Sequence, residues 1–168
     1  MPKKTTIKRA QKAKCAGKAP STQAGEFVRE EIEDIRKGKH GARSAKQAIA
    51  IGLSKARRAG VDLPPPKKGE VSEKSRKSAK RAYEVGQGDA PKRKPSAKRS
   101  KAITRALERE GTAAASHEAL SRHAKKAAKR RTSAERSAAA KKAAATKGAA
   151  GRRRAAKKAA RTRARRSK

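Results

Sequence analysis

The chain has 168 residues, and 51 Lys and Arg against 14 Asp and Glu give it a formal net charge of +37. Leu, Ile, Val and Phe contribute only 15 residues, well under the share of about 20% below which a highly charged chain is expected to be disordered. Because ordering costs ~1–2 kcal/mol per residue, this composition excludes one globular domain of 168 residues. It also argues against an enzyme, whose reacting groups need a rigid scaffold.

The charge and the lack of long apolar stretches restrict the expected partners. A strongly basic chain attracts polyanions, so nucleic acid is the first candidate. No stretch approaches the ~18 consecutive apolar residues of a membrane span, and no membrane partner is expected. The N-terminus lacks a secretory signal, which predicts a cytoplasmic protein. Cys15 has no second cysteine and the histidines lack metal-pair spacing, so neither a metal nor a cofactor is expected.

Charge and large apolar residues divide the chain into five segments. Residues 21–63 are nearly neutral at +3 and hold nine of the 17 large apolar residues, whereas residues 119–168 alone carry +19. We therefore predict, in chain order, a basic N-terminal arm over 1–20, a two-helix module over 21–63, a Pro/Gly/Lys-rich linker over 64–99 with a helix over 71–85, short amphipathic helices over 100–130, and a Lys/Arg/Ala-rich tail over 131–168.

Apolar stripes at helical spacing predict both helices of the module. The first is preceded by the start signal Pro20-Ser21-Thr22 and stopped by Gly38. The second begins at Ser44, because Ser44 and Gln47 have the spacing of a capping box. Gly52 interrupts its apolar face at a cost of ~1 kcal/mol relative to Ala, and close approach of the first helix is the expected reason. The predicted core consists of Phe27, Val28, Ile32, Ile35, Ile49 and Leu53.

The predicted fold class is mostly α and disordered: a small helical hairpin, similar to a helix-turn-helix, with long basic flexible arms. Two helices with about nine large apolar residues are marginal, since domains below ~40 residues usually need a staple, a metal or a partner chain. We therefore expect either a homodimer through residues 21–63 or folding that is coupled to nucleic-acid binding.

Beyond the module, helix signals weaken and cations accumulate. The helix over 71–85 is predicted to stop at Gly86, a flexible linker follows over 86–95, and Ser100 and Ser116 can cap two further helices. In the tail, Ala favours a helix but like charges at i and i+4 oppose it. The tail is therefore expected to be disordered in free solution and helical when phosphates neutralise its charge.

Clusters of Lys and Arg separated by Ala make the tail the strongest functional signal. Each neutralised phosphate contributes about −0.9 to the slope of log K against log salt, and the tail lacks the aromatic residues on which single-strand binders stack bases. This pattern favours sequence-independent contacts to the backbone of duplex DNA, with a solubilising tail as the simpler alternative. The predicted nucleic-acid-binding residues here are Lys141, Lys142, Arg152, Arg153, Arg154, Lys157, Lys158, Arg161, Arg163, Arg165 and Arg166.

The second helix of the module offers another set of candidate contacts. Ile51 lies among polar residues away from the apolar stripe, where it could meet a thymine methyl group or a partner protein. An ordinary solvated face is the alternative, because two helices alone are weak evidence for a helix-turn-helix. The candidates in this region are Arg43, Lys46, Gln47, Lys55, Arg57 and Arg58.

Two parts of the chain resemble known families. The run Lys141-Lys142-Ala143-Ala144-Ala145-Thr146-Lys147 resembles the Lys/Ala-rich tails of linker histones and of bacterial histone-like proteins. Within residues 18–66, the stretches 20–32, 39–44, 47–54 and 57–60 resemble a small, mostly uncharacterised bacterial family. Some of its members are labelled DNA-binding or plasmid stabilisation proteins. The resemblance implies a nucleoid-associated setting and transfers no site residues.

The leading expectation is a non-enzymatic, histone-like protein of the bacterial nucleoid that binds and compacts duplex DNA. An RNA-binding or ribosome-associated protein is the second interpretation, because a basic tail serves RNA equally well. A plasmid stabilisation or regulatory protein, whose hairpin reads base sequence, is the third.

Overall fold

The computed structural model describes residues 2–92 and 96–166. Its regular elements within these ranges are helices, and extended pairing is limited to an isolated bridge between Lys68 and Val71. The chain forms two compact units, residues 1–123 and 124–168. The helices are α1 (Lys4–Cys15), α2 (Pro20–Arg36), α3 (Ala45–Arg58), α4 (Glu73–Gln87), α5 (Ala97–Glu108), α6 (His117–Lys129) and α7 (Ser133–Arg166), with a 3-10 turn over Ala113–Ala115.

The two helices predicted for the module are confirmed as α2 and α3. Pro20 is the first residue of α2, where its missing N–H is no loss, and Gly38 takes up a φ of 70° just after the helix ends. Ser44 caps α3, because its Oγ accepts a hydrogen bond of 3.2 Å from the Gln47 N–H. The Gln47 side chain accepts from the Arg43 N–H at 2.9 Å, one residue earlier than a capping box requires.

The close approach predicted at Gly52 is confirmed. A methyl group built on Gly52 would lie 2.6 Å from the Cα of Val28 and 3.0 Å from its Cγ2. Such distances are well inside van der Waals contact, so only a hydrogen atom at this position lets α2 and α3 pack. The cost of a glycine in the helix interior is therefore offset by contact between the two helices.

Two small clusters form the core around α2 and α3. Phe27 is 1% exposed and belongs to one cluster, and Ile35 is 0% exposed and belongs to the other. The remaining predicted core residues are partly buried: Val28, Ile32, Ile49 and Leu53. Ten of the 13 buried apolar residues in the described ranges are Ala. The core is thus built largely from small side chains, which a count of large apolar residues overlooks.

The predicted flexible arm over residues 1–20 contains helix α1. Its buried residues are Thr6, Ala10 and Ala13, which helical spacing places on one side. Ile7 packs against the cluster that contains Phe27. Small side chains at these positions give α1 a flat face that packs closely against α2. Because lysines surround these residues in the sequence, the pattern does not predict a packed helix.

Helix α4 packs on α3, although its sequence lies in the predicted linker. The predicted stop at Gly86 is wrong, because the helix continues past it and ends before Gly88, whose φ is 96°. Gly86 instead lies against the carbonyl of Arg57, where any side chain would overlap that oxygen. The Tyr83 hydroxyl adds a hydrogen bond of 2.7 Å to Asp62.

Residues 107–116, here called the capping segment, cover the turn that joins α2 to α3. The Gly41 N–H donates to the carbonyl of Leu107 at 2.8 Å, and a Cβ on Gly41 would overlap the backbone of Glu110. The 3-10 turn within this segment is buried in the cluster around Ile35. The turn of the predicted helix-turn-helix is therefore packed beneath a distant part of the chain.

Downstream of the module the sequence predictions have mixed outcomes. Ser116 caps α6 as predicted, because its Oγ accepts from the Ala119 N–H at 3.1 Å. Ser100 lies inside α5, and the residue before that helix is Ser96. Residues 93–95 of the predicted linker and 167–168 of the predicted tail lie outside the described ranges. None of the described helices is both long and apolar enough to cross a membrane.

We expect Gly52→Ala to destabilise the folded unit even though it raises helix propensity. Ala gains about 1 kcal/mol over Gly in a helix interior, whereas overpacking costs about 1–3 kcal/mol. The second effect should prevail, because the obstacle is the Val28 backbone, which cannot rotate away. Thermal unfolding followed by circular dichroism measures the change.

Gly25→Ala is the matched control for this variant. Gly25 is an exposed residue of α2, and a Cβ built on it meets no atom within 4 Å. This substitution should therefore raise the thermal midpoint. Equal stabilisation by the two substitutions would contradict the close packing of α2 and α3.

Candidate nucleic-acid interface

Helix α7 carries most of the predicted contact residues, and reciprocal hydrogen bonds fix its N-terminus. The Thr132 N–H donates to the Glu135 carboxylate at 2.8 Å, and the Glu135 N–H donates to Thr132 Oγ1 at 3.2 Å. This pair is a capping box. The hydrogen bond from the Thr132 backbone holds the pKa of Glu135 below its ordinary value. Glu135 is the single acid in residues 119–168, so the one anion of the tail serves to begin its helix.

Gly148 interrupts α7. Its φ of 62° and ψ of 175° are not helical and lie in a region of conformation open mainly to Gly. The Arg152 guanidinium spans the break, because its Nη1 donates to the carbonyl of Ala144 at 2.9 Å. The break separates the predicted contacts Lys141 and Lys142 from the other nine, which follow it.

Beyond the break, helical spacing separates the cations onto two sides of α7. The larger group, here called the tail face, lines one continuous surface that extends about 16 Å along the helix axis. Its members are Arg154, Lys157, Lys158, Arg161 and Arg165. The opposite side is rich in Ala and carries Arg152, Arg163 and Arg166, with Arg153 between the two sides. All nine of these cations are exposed.

Three of the six candidates on the hairpin are exposed. These are Arg43, Lys46 and Arg58. The Arg43 side chain is 82% exposed, and its contact with Glu110 is long at 3.4 Å. These three cations are accessible from solvent. Ile51, the residue proposed to meet a base, is only partly exposed.

Two further candidates are engaged within the fold. Lys55 Nζ lies 2.5 Å from Oε2 of Glu31, a carboxylate that is completely buried. Gln47 uses its amide oxygen to bind the Arg43 N–H ahead of α3. Each of these two side chains therefore already has a structural partner, and their contact with nucleic acid stays a prediction.

Arg57 is the most deeply buried of the six candidates. It is 7% exposed, and its Nε and Nη2 donate to the carbonyls of Leu63 and Pro64 at 3.0 and 3.2 Å. Burial lowers the pKa of the guanidinium. Arg57 thus ties the chain that follows α3 back onto that helix and does not face solvent. The sequence signal for this burial was that Arg57 directly follows Ala56, a residue of the apolar stripe.

Buried acids on α2 anchor the N-terminus of the chain. The Lys3 N–H donates to the Glu30 carboxylate at 3.1 Å, and Lys3 Nζ lies 2.8 Å from Asp34. Lys39 approaches the same Asp34 oxygen at 2.9 Å. Burial alone would raise the pKa of Asp34, but the hydrogen bonds and charges of the two lysines outweigh it and lower that pKa. The start of α1 is thereby fixed to α2.

These anchors turn α1 into a fixed surface that sequence reasoning missed. Its exposed Lys4, Lys8 and Lys12 recur every four residues, opposite the small buried residues of the same helix. This four-residue spacing is typical of one side of a helix, and it was the signal in the sequence that could have predicted α1.

The one histidine of the hairpin also faces the buried acids. His40 Nε2 lies 3.4 Å from Oε1 of Glu31, an oxygen without a hydrogen-bond partner. Among the residues that the structure describes, no group of three or more His, Cys, Asp or Glu side chains is placed to hold a metal ion.

Over the residues that the structure describes, the fold and its surface are those of a mostly helical, strongly basic protein with exposed cations on several helices. Residues 11–68 match the model of a family of unknown function, DUF6496. This match runs from the last turns of α1 through α2 and α3 and stops before α4, so it does not reach the tail. No curated protein and no solved structure matches the chain.

We expect Arg57→Met to destabilise the fold and Arg58→Met to leave it nearly unchanged. The first removes two part-buried hydrogen bonds to the carbonyls of Leu63 and Pro64, for which about 1–3 kcal/mol is typical. The second alters an exposed side chain, for which about 0.5 kcal/mol is the usual limit. Urea unfolding of the two variants measures the difference. Unchanged stability together with weakened duplex binding in Arg57→Met would restore Arg57 as a contact residue.

We expect Asp34→Asn to weaken the fold near neutral pH and to matter little in acid. Because the folded-state pKa of Asp34 is lowered, its carboxylate stabilises the fold above an unfolded-state pKa of about 4. That contribution is lost as the pH falls through the folded-state pKa. The thermal midpoints of the original chain and the variant should therefore converge in acid.

Asp89→Asn is the control for this titration, because Asp89 is exposed. Its midpoint should follow the original chain at every pH. A difference between Asp34→Asn and the original chain that stayed constant from neutral pH to well below pH 4 would contradict the stabilising role of the Asp34 carboxylate.

Proposed function

We propose that the chain is a non-enzymatic, histone-like protein that binds the phosphate backbone of duplex DNA without reading sequence and compacts DNA in the bacterial nucleoid. The observation that carries this proposal is the cationic tail. Residues 119–168 hold twenty Lys and Arg against Glu135 alone, and Glu135 is engaged with Thr132. The tail face therefore has no acid of its own segment to neutralise it.

We also propose that the tail folds when it meets the polyanion. The five cations of the tail face form like-charge pairs at i,i+3 and i,i+4, each of which destabilises a helix by ~0.2–0.5 kcal/mol. Five such pairs cost about 1–2.5 kcal/mol, a penalty that nearby phosphates remove. We expect the tail to be disordered in free solution and to take the helical conformation of α7 on DNA.

Duplex DNA is favoured over single-stranded RNA as the ligand. Base stacking needs exposed aromatic side chains, and the chain has only Phe27 and Tyr83. Phe27 is buried, and Tyr83 donates its hydroxyl to Asp62. The alternative of a plasmid stabilisation or regulatory protein requires α3 to read bases through Arg43, Lys46 or Arg58. The capping segment packs over the turn of that hairpin, and this packing does not support a base-reading role for α3.

The experiment compares two full-length variants with equal charge. The first replaces four cations of the tail face by Gln, namely Arg154, Lys157, Lys158 and Arg161. The second replaces four cations off that face, namely Arg152, Arg153, Arg163 and Arg166. Fluorescence anisotropy with a mixed-sequence duplex, titrated with salt, measures the affinity of each. Loss of four phosphate contacts should flatten the slope of log K against log salt by about 3.6.

The tail-face variant should show this reduction of the slope in full, and the second variant should show a smaller reduction. Binding to the duplex that did not change with salt would contradict the proposal. Stronger competition by structured RNA than by duplex DNA would favour the RNA-binding alternative. A footprint at one site that survives excess nonspecific DNA would favour the sequence-reading alternative.

A further inference from the structure

We infer that α1 forms a second contact surface for duplex DNA, separate from the tail, so that one chain holds two duplex segments at once. The inference rests on the proposed function, because both surfaces take the same ligand. It adds a second site on the folded unit and gives compaction a physical route, the bridging of two duplexes.

The side chains of α1 are sorted cleanly between two sides. Thr6, Ala10 and Ala13 are buried. At 100° per residue the exposed Lys4, Lys8 and Lys12 centre on the side directly opposite. These three lysines, here called the α1 face, form a row whose ends are about 12 Å apart along the axis. Such a row can follow consecutive phosphates of one strand.

Both ends of α1 are tied to the folded unit. At its start, Lys3 binds Glu30 through its backbone and Asp34 through its ammonium group. After its end, Gln23 Nε2 of α2 donates to the carbonyl of Lys18 at 2.8 Å. The α1 face is therefore held in place before any ligand arrives, and binding to it carries little of the ordering cost that a flexible arm would.

The acids nearest to α1 do not cancel the charge of the α1 face. Residues 1–20 contain seven cations and no acid. Glu30 and Asp34 of the neighbouring helix are buried, and both are bound to Lys3. Because these carboxylates are occupied by another lysine, the ammonium groups of the α1 face remain available to a polyanion.

The charge of the whole chain is consistent with two sites. Residues 1–123 carry 32 cations and 13 acids, and residues 124–168 carry 19 cations and one acid. The two compact units therefore have nearly equal net charges, although residues 124–168 form a much shorter segment.

A bridging assay with the full chain tests the inference. A biotinylated duplex is immobilised and loaded with protein, and capture of a second, fluorescent duplex is then measured. The test variant is Lys4→Gln/Lys8→Gln/Lys12→Gln. The control, Lys98→Gln/Arg99→Gln/Lys101→Gln, removes the same charge from exposed residues of α5. Circular dichroism verifies that both remain folded.

The test variant should load onto the first duplex through the tail but capture about tenfold less of the second, as expected when three phosphate contacts are lost. The control should capture both duplexes like the original chain. Undiminished capture by the test variant, equal losses in the two variants, or no capture by the original chain would overturn the inference. Failure to load the first duplex would instead refute the proposed function, so the two failures are distinguishable.

Cys15 provides an independent readout, because it is the sole cysteine, is exposed, and shares the side of α1 that bears the three lysines. A photo-crosslinker attached to Cys15 should link the chain to duplex DNA. The yield should fall in the test variant and persist in the control. Absence of crosslinks in the original chain while the duplex is bound would also overturn the inference.

Discussion

The approach of α2 and α3 at Gly52 is the contact on which the folded unit depends. A chain with so few large side chains gains little from each buried residue, so its helices must come close enough for alanines to touch. The same device recurs at two other junctions. Gly86 lets α4 meet the backbone of Arg57, and Gly41 lets the turn after α2 meet the backbone of Glu110. Three glycines thus replace the large apolar side chains that most cores of this size use.

The second constraint is charge, because a chain at +37 must fold without burying unpaired cations. Helix α2 satisfies this constraint, because its buried carboxylates pair with cations of the fold. Glu31 accepts Lys55, and Asp34 accepts both Lys3 and Lys39. Arg57 is the exception, since carbonyl groups rather than a carboxylate satisfy it. A buried pair contributes little net stability but is costly to break, so these contacts fix positions more than they add stability.

Local signals explain what the sequence predicted well. Helices α2 and α3 have large apolar stripes, a proline at one start, a serine cap at the other and glycines after their ends, and each signal acts within a few residues. Gly52 was understood because a glycine on an apolar face needs a close neighbour. The density of cations in the tail is evident from composition alone, and their contact with nucleic acid stays a prediction.

Long-range contacts made by small residues explain the rest. The buried faces of α1 and of the capping segment consist of alanine and threonine, and alanine is equally common in the exposed tail. Composition therefore cannot tell a packed alanine from a solvated one. The Gly-Gln-Gly sequence at 86–88 offers two helix stops, and only contact with Arg57 distinguishes them. Lys55 and Arg57 were misplaced because a cation is assumed to be exposed until its partner is known.

The two proposed contact surfaces differ in what each would require before it could bind DNA. The α1 face lies on a helix whose start Lys3 anchors to Glu30 and Asp34, so it keeps its spacing in the absence of a ligand. The tail face concentrates like charges along one side of a helix, and we propose that its helical conformation depends on the polyanion that neutralises it. An unbroken helix of 34 residues would be a rod of about 51 Å, which cannot stay against a backbone that winds around a duplex. The break at Gly148 divides this length into two shorter segments. Under the proposed function, each segment would follow its own stretch of phosphates, and the residue that weakens α7 as a helix would suit it to a curved ligand.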